Sequence, residues 1–242
     1  MNLAEDQIFA ALDATWPAAR SFQVGPWTIR EGKGGGQRVS AATLNGDAHK
    51  EDIAMAEREM RANDQVPLFM IRPKDTNLDT WLTGRDYEVV DPVAIYSAKA
   101  SALVRPMRPA KIFPAWPPLA IQSEIWATGG VCQPRLDVMA RANGDKIALL
   151  GRLGDRAVAT TFVACHGDIA MLHALEVSPD ARRQGVGATM MAAAAIWAAQ
   201  RGATTLVVMV TRDNAPANAL YLSLGMDEVG HYHYRRTSTV GS

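Results

Sequence analysis

The stretch Leu175-Glu176-Val177-Ser178-Pro179-Asp180-Ala181-Arg182-Arg183-Gln184-Gly185-Val186-Gly187-Ala188 passes from a strand, through a basic turn bearing two glycines, into a helix. Such a turn suits an anion. The amides that open a helix lack intrahelical acceptors and carry partial positive charge, and Gly185 and Gly187 present no side chain to hold a pyrophosphate away from them. Arg182 and Arg183 can add charge-assisted hydrogen bonds. An ordinary strand-to-helix turn with solvated arginines would carry the same residues, so the surrounding sequence has to decide. A Walker loop needs Gly-Lys-Ser/Thr, and a dinucleotide fingerprint needs a third glycine and an acidic residue about 20 positions on. Neither is present. Gly32-Lys33-Gly34-Gly35-Gly36 also invites a phosphate, but it joins two strand-like segments and opens no helix, which reads as a flexible hairpin loop.

Working outward from the turn, three strands precede it. Lys146 to Arg152 and Arg156 to Ala164 are joined at Gly154-Asp155, and Gly167-Asp168 leads into Ile169 to Val177, an antiparallel meander. Two short helices, Leu119 to Thr128 and Arg135 to Arg141, come before the meander. After the turn the chain alternates: a helix from about Val186 to Arg201, a strand over Thr204 to Val210, a helix over Ala215 to Leu224 and a last strand over Glu228 to Arg235.

A proline-rich passage from Arg105 through Pro106, Pro109, Pro114 and Pro117 to Pro118 interrupts every periodic pattern and is the expected domain boundary. Before it, Leu3, Ile8, Phe9 and Leu12 predict an amphipathic helix, and Trp27 to Glu31 and Arg38 to Thr43 predict strands. A helix near Glu51 to Ala62, a strand from Leu68 to Ile71, a short helix from Leu78 to Leu82 capped by Asn77 and a strand from Tyr87 to Ile95 complete this half. Both halves end alike, which suggests a weak internal duplication.

Composition narrows the function classes. Among 242 residues, 25 basic and 25 acidic side chains cancel, so no global field would draw the chain to nucleic acid or an anionic membrane. Met1 to Ala10 has no basic region followed by an apolar run, and the alanine-rich stretch Ala188 to Ala199 is shorter than the roughly 20 residues of a membrane span. Cys132 and Cys165 fit no metal or redox spacing and read as reduced thiols. A cytoplasmic protein with a small-molecule partner is expected.

At this point the chain resembles the GNAT acetyltransferase superfamily. Its Arg/Gln-x-x-Gly-x-Gly/Ala signature stands here as Arg182, Gly185 and Gly187, and a second hallmark is matched by Asn214, Ala217, Ala219-Leu220-Tyr221 and Leu224-Gly225-Met226. The clear resemblance runs from about Leu119 to Arg236. The first half is similar to a degenerate copy, as in tandem GNAT proteins: Leu82 falls where Tyr221 would be, and no Arg-x-x-Gly-x-Gly precedes a helix. The resemblance implies an α/β (α+β) fold of two GNAT-like domains, each a mixed, mostly antiparallel sheet flanked by helices. These would be residues 1–104, a linker over 105–118, and a catalytic domain over 119–242.

It further implies direct transfer of an acyl group from acetyl-CoA, or another acyl-CoA, to a primary amine of a small molecule or peptide, with no metal. Backbone groups of Leu175 to Val177 would pair with the pantetheine arm. The amides of Gln184, Gly185, Val186, Gly187 and Ala188 would take the pyrophosphate, beside Arg182 and Arg183. Tyr221 would protonate the departing thiolate, because a phenol keeps its proton at neutral pH. Asn214 either caps its helix or touches the cofactor, and Ala217 would join the cofactor contacts.

The base is open. The strand before Asn214 reads Val207-Val208-Met209-Val210, with no ionisable group. Glu176 and His173 are the candidates; strand alternation turns them to opposite faces unless a bulge intervenes. His173 could instead be a core imidazole and Glu176 a surface carboxylate. His231 and His233 flank Tyr232 but lack a third ligand, so a structural or substrate-lining role is expected. Trp116, Trp126 and Trp197 read as core. A second reading is an acyl-CoA-binding regulatory module without turnover. Self-association into a homodimer is left open.

Overall fold

The computed structural model describes residues 4–47, 49–106 and 108–237; Leu3 lies outside them. The chain runs α1 (Glu5–Thr15), β1 (Arg20–Val24), β2 (Trp27–Glu31), β3 (Thr43–Leu44), α2 (Ile53–Ala62), β4 (Leu68–Ile71), α3 (Thr76–Thr83), β5 (Tyr87–Lys99) and β6 (Lys111–Ala115). It continues with α4 (Ala120–Thr128), α5 (Gln133–Arg141), β7 (Lys146–Leu153), β8 (Arg156–His166), β9 (Ile169–Val177), α6 (Val186–Ala199), β10 (Thr205–Thr211), α7 (Ala215–Ser223) and β11 (Asp227–Thr237). This is the α/β architecture with helix-flanked mixed sheets that the resemblance implied.

Packing divides the described residues into two units that do not follow chain order. The first takes residues up to 16, 95–210 and 214–229; the second takes 17–94, 211–213 and 230–237. This differs from the division into 1–104, 105–118 and 119–242. Part of the reason is a contact far apart in sequence: Thr15 Oγ1 lies 3.0 Å from His173 Nε2, tying α1 to β9.

In the first unit the strand order is β5-β10-β9-β8-β7-β6, β5 contributing residues 95–99. Strands β6 to β9 are antiparallel neighbours and β9 and β10 are parallel. The meander is as expected, but β6 emerges from the proline-rich passage. Pro114 is tolerated because β6 is an edge strand, where a missing amide leaves no ladder bond unmade. Helix α6 packs across β7, β8 and β9, and α1 and α4 pack on β8 and β9. Alternation along β8 separates the two sides: Ala159 and Met190 of α6 both lie over the bare face of Gly151, while Thr160 bonds Gln122 of α4 at 3.2 Å and Phe162 packs on Trp16.

In the second unit β1, β2 and β3 form an antiparallel sheet and β4 pairs antiparallel with β11, from His233↔Ile71 to Arg236↔Leu68. Trp27, Ile29, Ile53, Met60, Phe69, Leu78 and Leu82 form its core. The segment expected as a strand over Arg38 to Thr43 is instead a 3-10 turn, Gln37–Val39, followed by short β3, because Ser40 Oγ closes back on Gly36 O at 3.0 Å. Asn77 lies inside α3, whose N-cap position is Asp75. Arg20–Val24 was not expected as a strand; its exposed, mostly polar residues give no apolar alternation. No helix among the described residues is long and apolar enough to cross a membrane.

Candidate active site

Helix α6 opens without a side-chain cap. Its N-cap, Gly185, has φ +79, a left-handed conformation that suits glycine, so the amides of Val186, Gly187 and Ala188 face outward with no intrahelical acceptor. Arg182 folds back so that its Nε donates to Val177 O at 3.0 Å, and Gln184 Nε2 donates to Asp180 O at 2.8 Å. These bonds pin the turn to the strand it follows. Arg183 is exposed and has no partner among the described residues. Gly187 has a packing reason besides: a Cβ there would stand 3.0 Å from Leu220 Cδ2 of α7.

Beside this turn β9 and β10 part. Their paired positions run from Thr205↔Ile169 to Val208↔Leu172, while β9 goes on to Val177. Over its last residues β9 pairs with β8 alone, as Thr160↔Glu176 and Ala159↔Val177. The Leu175 to Val177 edge that would meet β10 therefore has no strand partner; Val177 O is taken by Arg182 Nε, and the other backbone groups of that edge are open to a ligand.

A β-bulge lies in the same place. The β8–β9 register steps from Phe162↔His173 to Thr160↔Glu176, and Ala174 has φ +49. Residues paired directly across a ladder share a face, and Thr160 and Phe162 are two apart on β8, so the extra residue turns His173 and Glu176 to one side. Two side chains hold the bulge: Trp126 Nε1 donates to Ala174 O at 2.7 Å and Thr161 Oγ1 to His173 O at 2.9 Å. No sequence signal marks Trp126 for this, because its spacing is that of any core aromatic.

The two candidates for the base differ in surroundings. His173 is buried at 5% exposure, its ring 4.8 Å from that of Trp16 and stacked on Phe162. Thr15 Oγ1 spends its proton on Ala11 O, 2.7 Å away, so His173 Nε2 is the donor to Thr15. The imidazole has the core environment given as its alternative. Glu176 is half-buried, its carboxylate against Gly129 just past the C-terminus of α4. Burial raises its pKa above the ordinary carboxylate value, opposed by the charges of Arg182 and Arg135. The negative end of the α4 dipole acts in the same direction as burial.

Tyr221 is buried at 6% exposure, its ring centroid 5.7 Å from that of Tyr96. Burial, and then the charge of Glu176, push its pKa upward, so the phenol keeps its proton throughout the working range. Asn214 caps α7, its Oδ1 accepting from the amide of Ala217 at 3.2 Å, which realises the first of its two expected roles. Asn218, not singled out in the sequence, accepts from Tyr96 Oη at 3.0 Å. In the second unit His233 Nε2 lies 2.9 Å from Asp79 Oδ1, beside Arg235. No group of three metal-ligating side chains is found among the described residues.

A profile of the acetyltransferase (GNAT) family matches residues 116–226. Aminoglycoside N(6')-acetyltransferase type 1 of Klebsiella aerogenes is 33% identical over 110 residues, 45% of this chain and 71% of that protein. Among solved structures, a GCN5-related N-acetyltransferase from Kribbella flavida superposes with a TM-score of 0.73 at 19% identity, covering 98% of this chain and 95% of its own. A tandem GNAT protein from the clavulanic acid biosynthesis pathway gives 0.62 at 11% identity, over 89% of this chain and 78% of its own. At these identities the two structures speak for the fold alone.

Proposed function

Because the chain belongs to the GNAT family and is an N-acetyltransferase, we propose that it transfers an acetyl group from acetyl-CoA directly to a primary amine of a small molecule or peptide. The observation that carries this reading is the juxtaposition of the uncapped start of α6 with the edge of β9 left open where β10 departs. Acetyl-CoA supplies the activated thioester. The residues fit such a ligand: the amides of Val186 to Ala188 and the unpartnered Arg183 would receive its pyrophosphate, and backbone groups of Leu175 to Val177 its pantetheine arm.

Two proton transfers remain for side chains. Glu176, turned by the bulge and made more basic than an exposed carboxylate by burial, takes a proton from the amine, directly or through water. Tyr221 holds a proton that it gives to the departing sulfur. His173, closed in by Thr15, Trp16 and Phe162, serves packing and is given no proton transfer here. The amine class is supported by the aminoglycoside N(6')-acetyltransferase relative, which makes aminoglycosides the first acceptors to try. The N-terminal half is read as a degenerate copy without an acetyl-CoA site, and the protein as cytoplasmic. A screen for CoA release from acetyl-CoA across aminoglycosides, small amines and peptide N-termini tests the proposal. Release tied to an acetylated amine supports it, and saturable acetyl-CoA binding without turnover on any acceptor would favour the regulatory module.

A further inference from the structure

In the second unit the half-buried guanidinium of Arg38 is held by two phenols. Its Nε donates to Tyr232 Oη at 3.3 Å, and the Tyr234 hydroxyl acts on it electrostatically. Tyr234 Oη in turn donates to Tyr232 Oη at 3.5 Å, and the rings meet edge-on with centroids 5.4 Å apart. Both tyrosines are buried, at 1% and 3% exposure. Three other arginines of this unit meet carboxylates, Arg235 with Asp79 and Arg61 and Arg85 with Glu57, while the buried Arg30 donates to Ala41 O and Thr43 Oγ1. Arg38 meets none among the described residues; the groups acting on it are burial and the two phenols.

A cation drawn partly out of water without a counter-ion is costly, and neutral phenol oxygens do not offset its charge. Nor can two phenols take up the five N–H donors of a guanidinium. The fork is matched by an oxyanion. We propose that Arg38, with Tyr232 and Tyr234, forms a binding site for a carboxylate, carried by a small acid or a peptide C-terminus. One cation flanked by neutral groups matches a single negative charge, whereas a phosphate monoester at neutral pH brings between one and two. Lys33, on the preceding loop, is paired with Glu31 at 2.6 Å and is not among the groups acting on Arg38. The glycine-rich loop Gly32 to Gly36 thus leads into the 3-10 turn, Gln37–Val39, that carries the residue that would receive the anion. This site is independent of the acetyl-transfer reading and does not rest on it.

The test titrates the full chain with N-acetylglycine, its uncharged analogue N-acetylglycinamide, and inorganic phosphate, by calorimetry and by the Arg38 Nε–H nuclear magnetic resonance signal. N-acetylglycine is expected to bind saturably in the millimolar range and to shift that signal. The amide should not bind, and phosphate should bind at least about tenfold more weakly. Arg38→Met should abolish binding. Arg38→Lys, which keeps the charge and the fold but loses the fork, should weaken it about tenfold. Acetyl-CoA affinity should be unchanged in both variants. Propionate and a tripeptide with a free C-terminus then distinguish the two sources by which binds more tightly. Equal binding of the amide, binding of phosphate as tight as that of N-acetylglycine, no saturable response to N-acetylglycine, or full affinity in folded Arg38→Lys would overturn the assignment.

Discussion

The carboxylate of Glu176 rests against the backbone of Gly129 so closely that a Cβ on Gly129 would stand 2.2 Å from Glu176 Cδ and 2.5 and 2.6 Å from its two oxygens. Gly129 has φ −85, which any residue adopts, so the glycine answers to the carboxylate and not to the backbone. Gly129→Ala should therefore fold normally while the Glu176 side chain swings away. A misplaced base of this kind is expected to lower kcat about 10-fold to 100-fold with acetyl-CoA affinity unchanged. Steady-state kinetics beside a thermal melt checks it: an unchanged rate would detach Glu176 from the chemistry.

Glu176→Gln separates catalysis from stability. Loss of a positioned base costs about 10²-fold to 10⁴-fold in rate, and the acidic limb of the kcat/KM profile should disappear with the carboxyl. In the wild type that limb should lie above the ordinary carboxylate value, since burial raises the Glu176 pKa. The stability effect has the opposite sign. A carboxyl with a raised folded pKa binds its proton more firmly folded than unfolded, so its contribution is favourable below the unfolded pKa and is lost as pH rises through the folded one. At neutral pH the ionised, half-buried group disfavours folding. The glutamine variant should melt higher than wild type at neutral pH, and the gap should close on acidification. Melting curves across pH would show the reverse if the arginines, not burial, dominated.

The turn at Arg182 to Gly187 was legible in the sequence because anion binding at a helix start demands residue types that stand out: glycines, arginines and a strand ending in Ser178-Pro179. The bulge was not. It turns on Ala174, a residue without the usual freedom for positive φ, and is held by Trp126 and Thr161, whose spacing is that of core residues. Whether Glu176 and His173 share a face could be posed from alternation but needed the β8 register to answer. Strand β6 was missed because edge position, which excuses Pro114, belongs to the assembled sheet. The placement of α1 with β9 depends on Thr15 and His173, 158 positions apart, and no local pattern carries such a contact.

Tyr221→Phe removes one hydroxyl and keeps the ring against Tyr96. Stability and acetyl-CoA affinity should change little, and single-turnover acetyl transfer should slow about 10²-fold to 10⁴-fold if the phenol is the proton donor. Single-turnover conditions are needed because slow product release would mask the step in kcat. A wild-type single-turnover rate would assign the proton to water and leave Tyr221 a packed aromatic.

We expect acetyl-CoA to be held by the opening of α6 and the free edge of β9. The most direct measurement is the backbone amide spectrum of the full chain titrated with acetyl-CoA. The largest shifts should fall on Val186, Gly187 and Ala188, with a second set at Leu175 to Val177. Saturable binding that leaves the amides of residues 185–188 unmoved would contradict it.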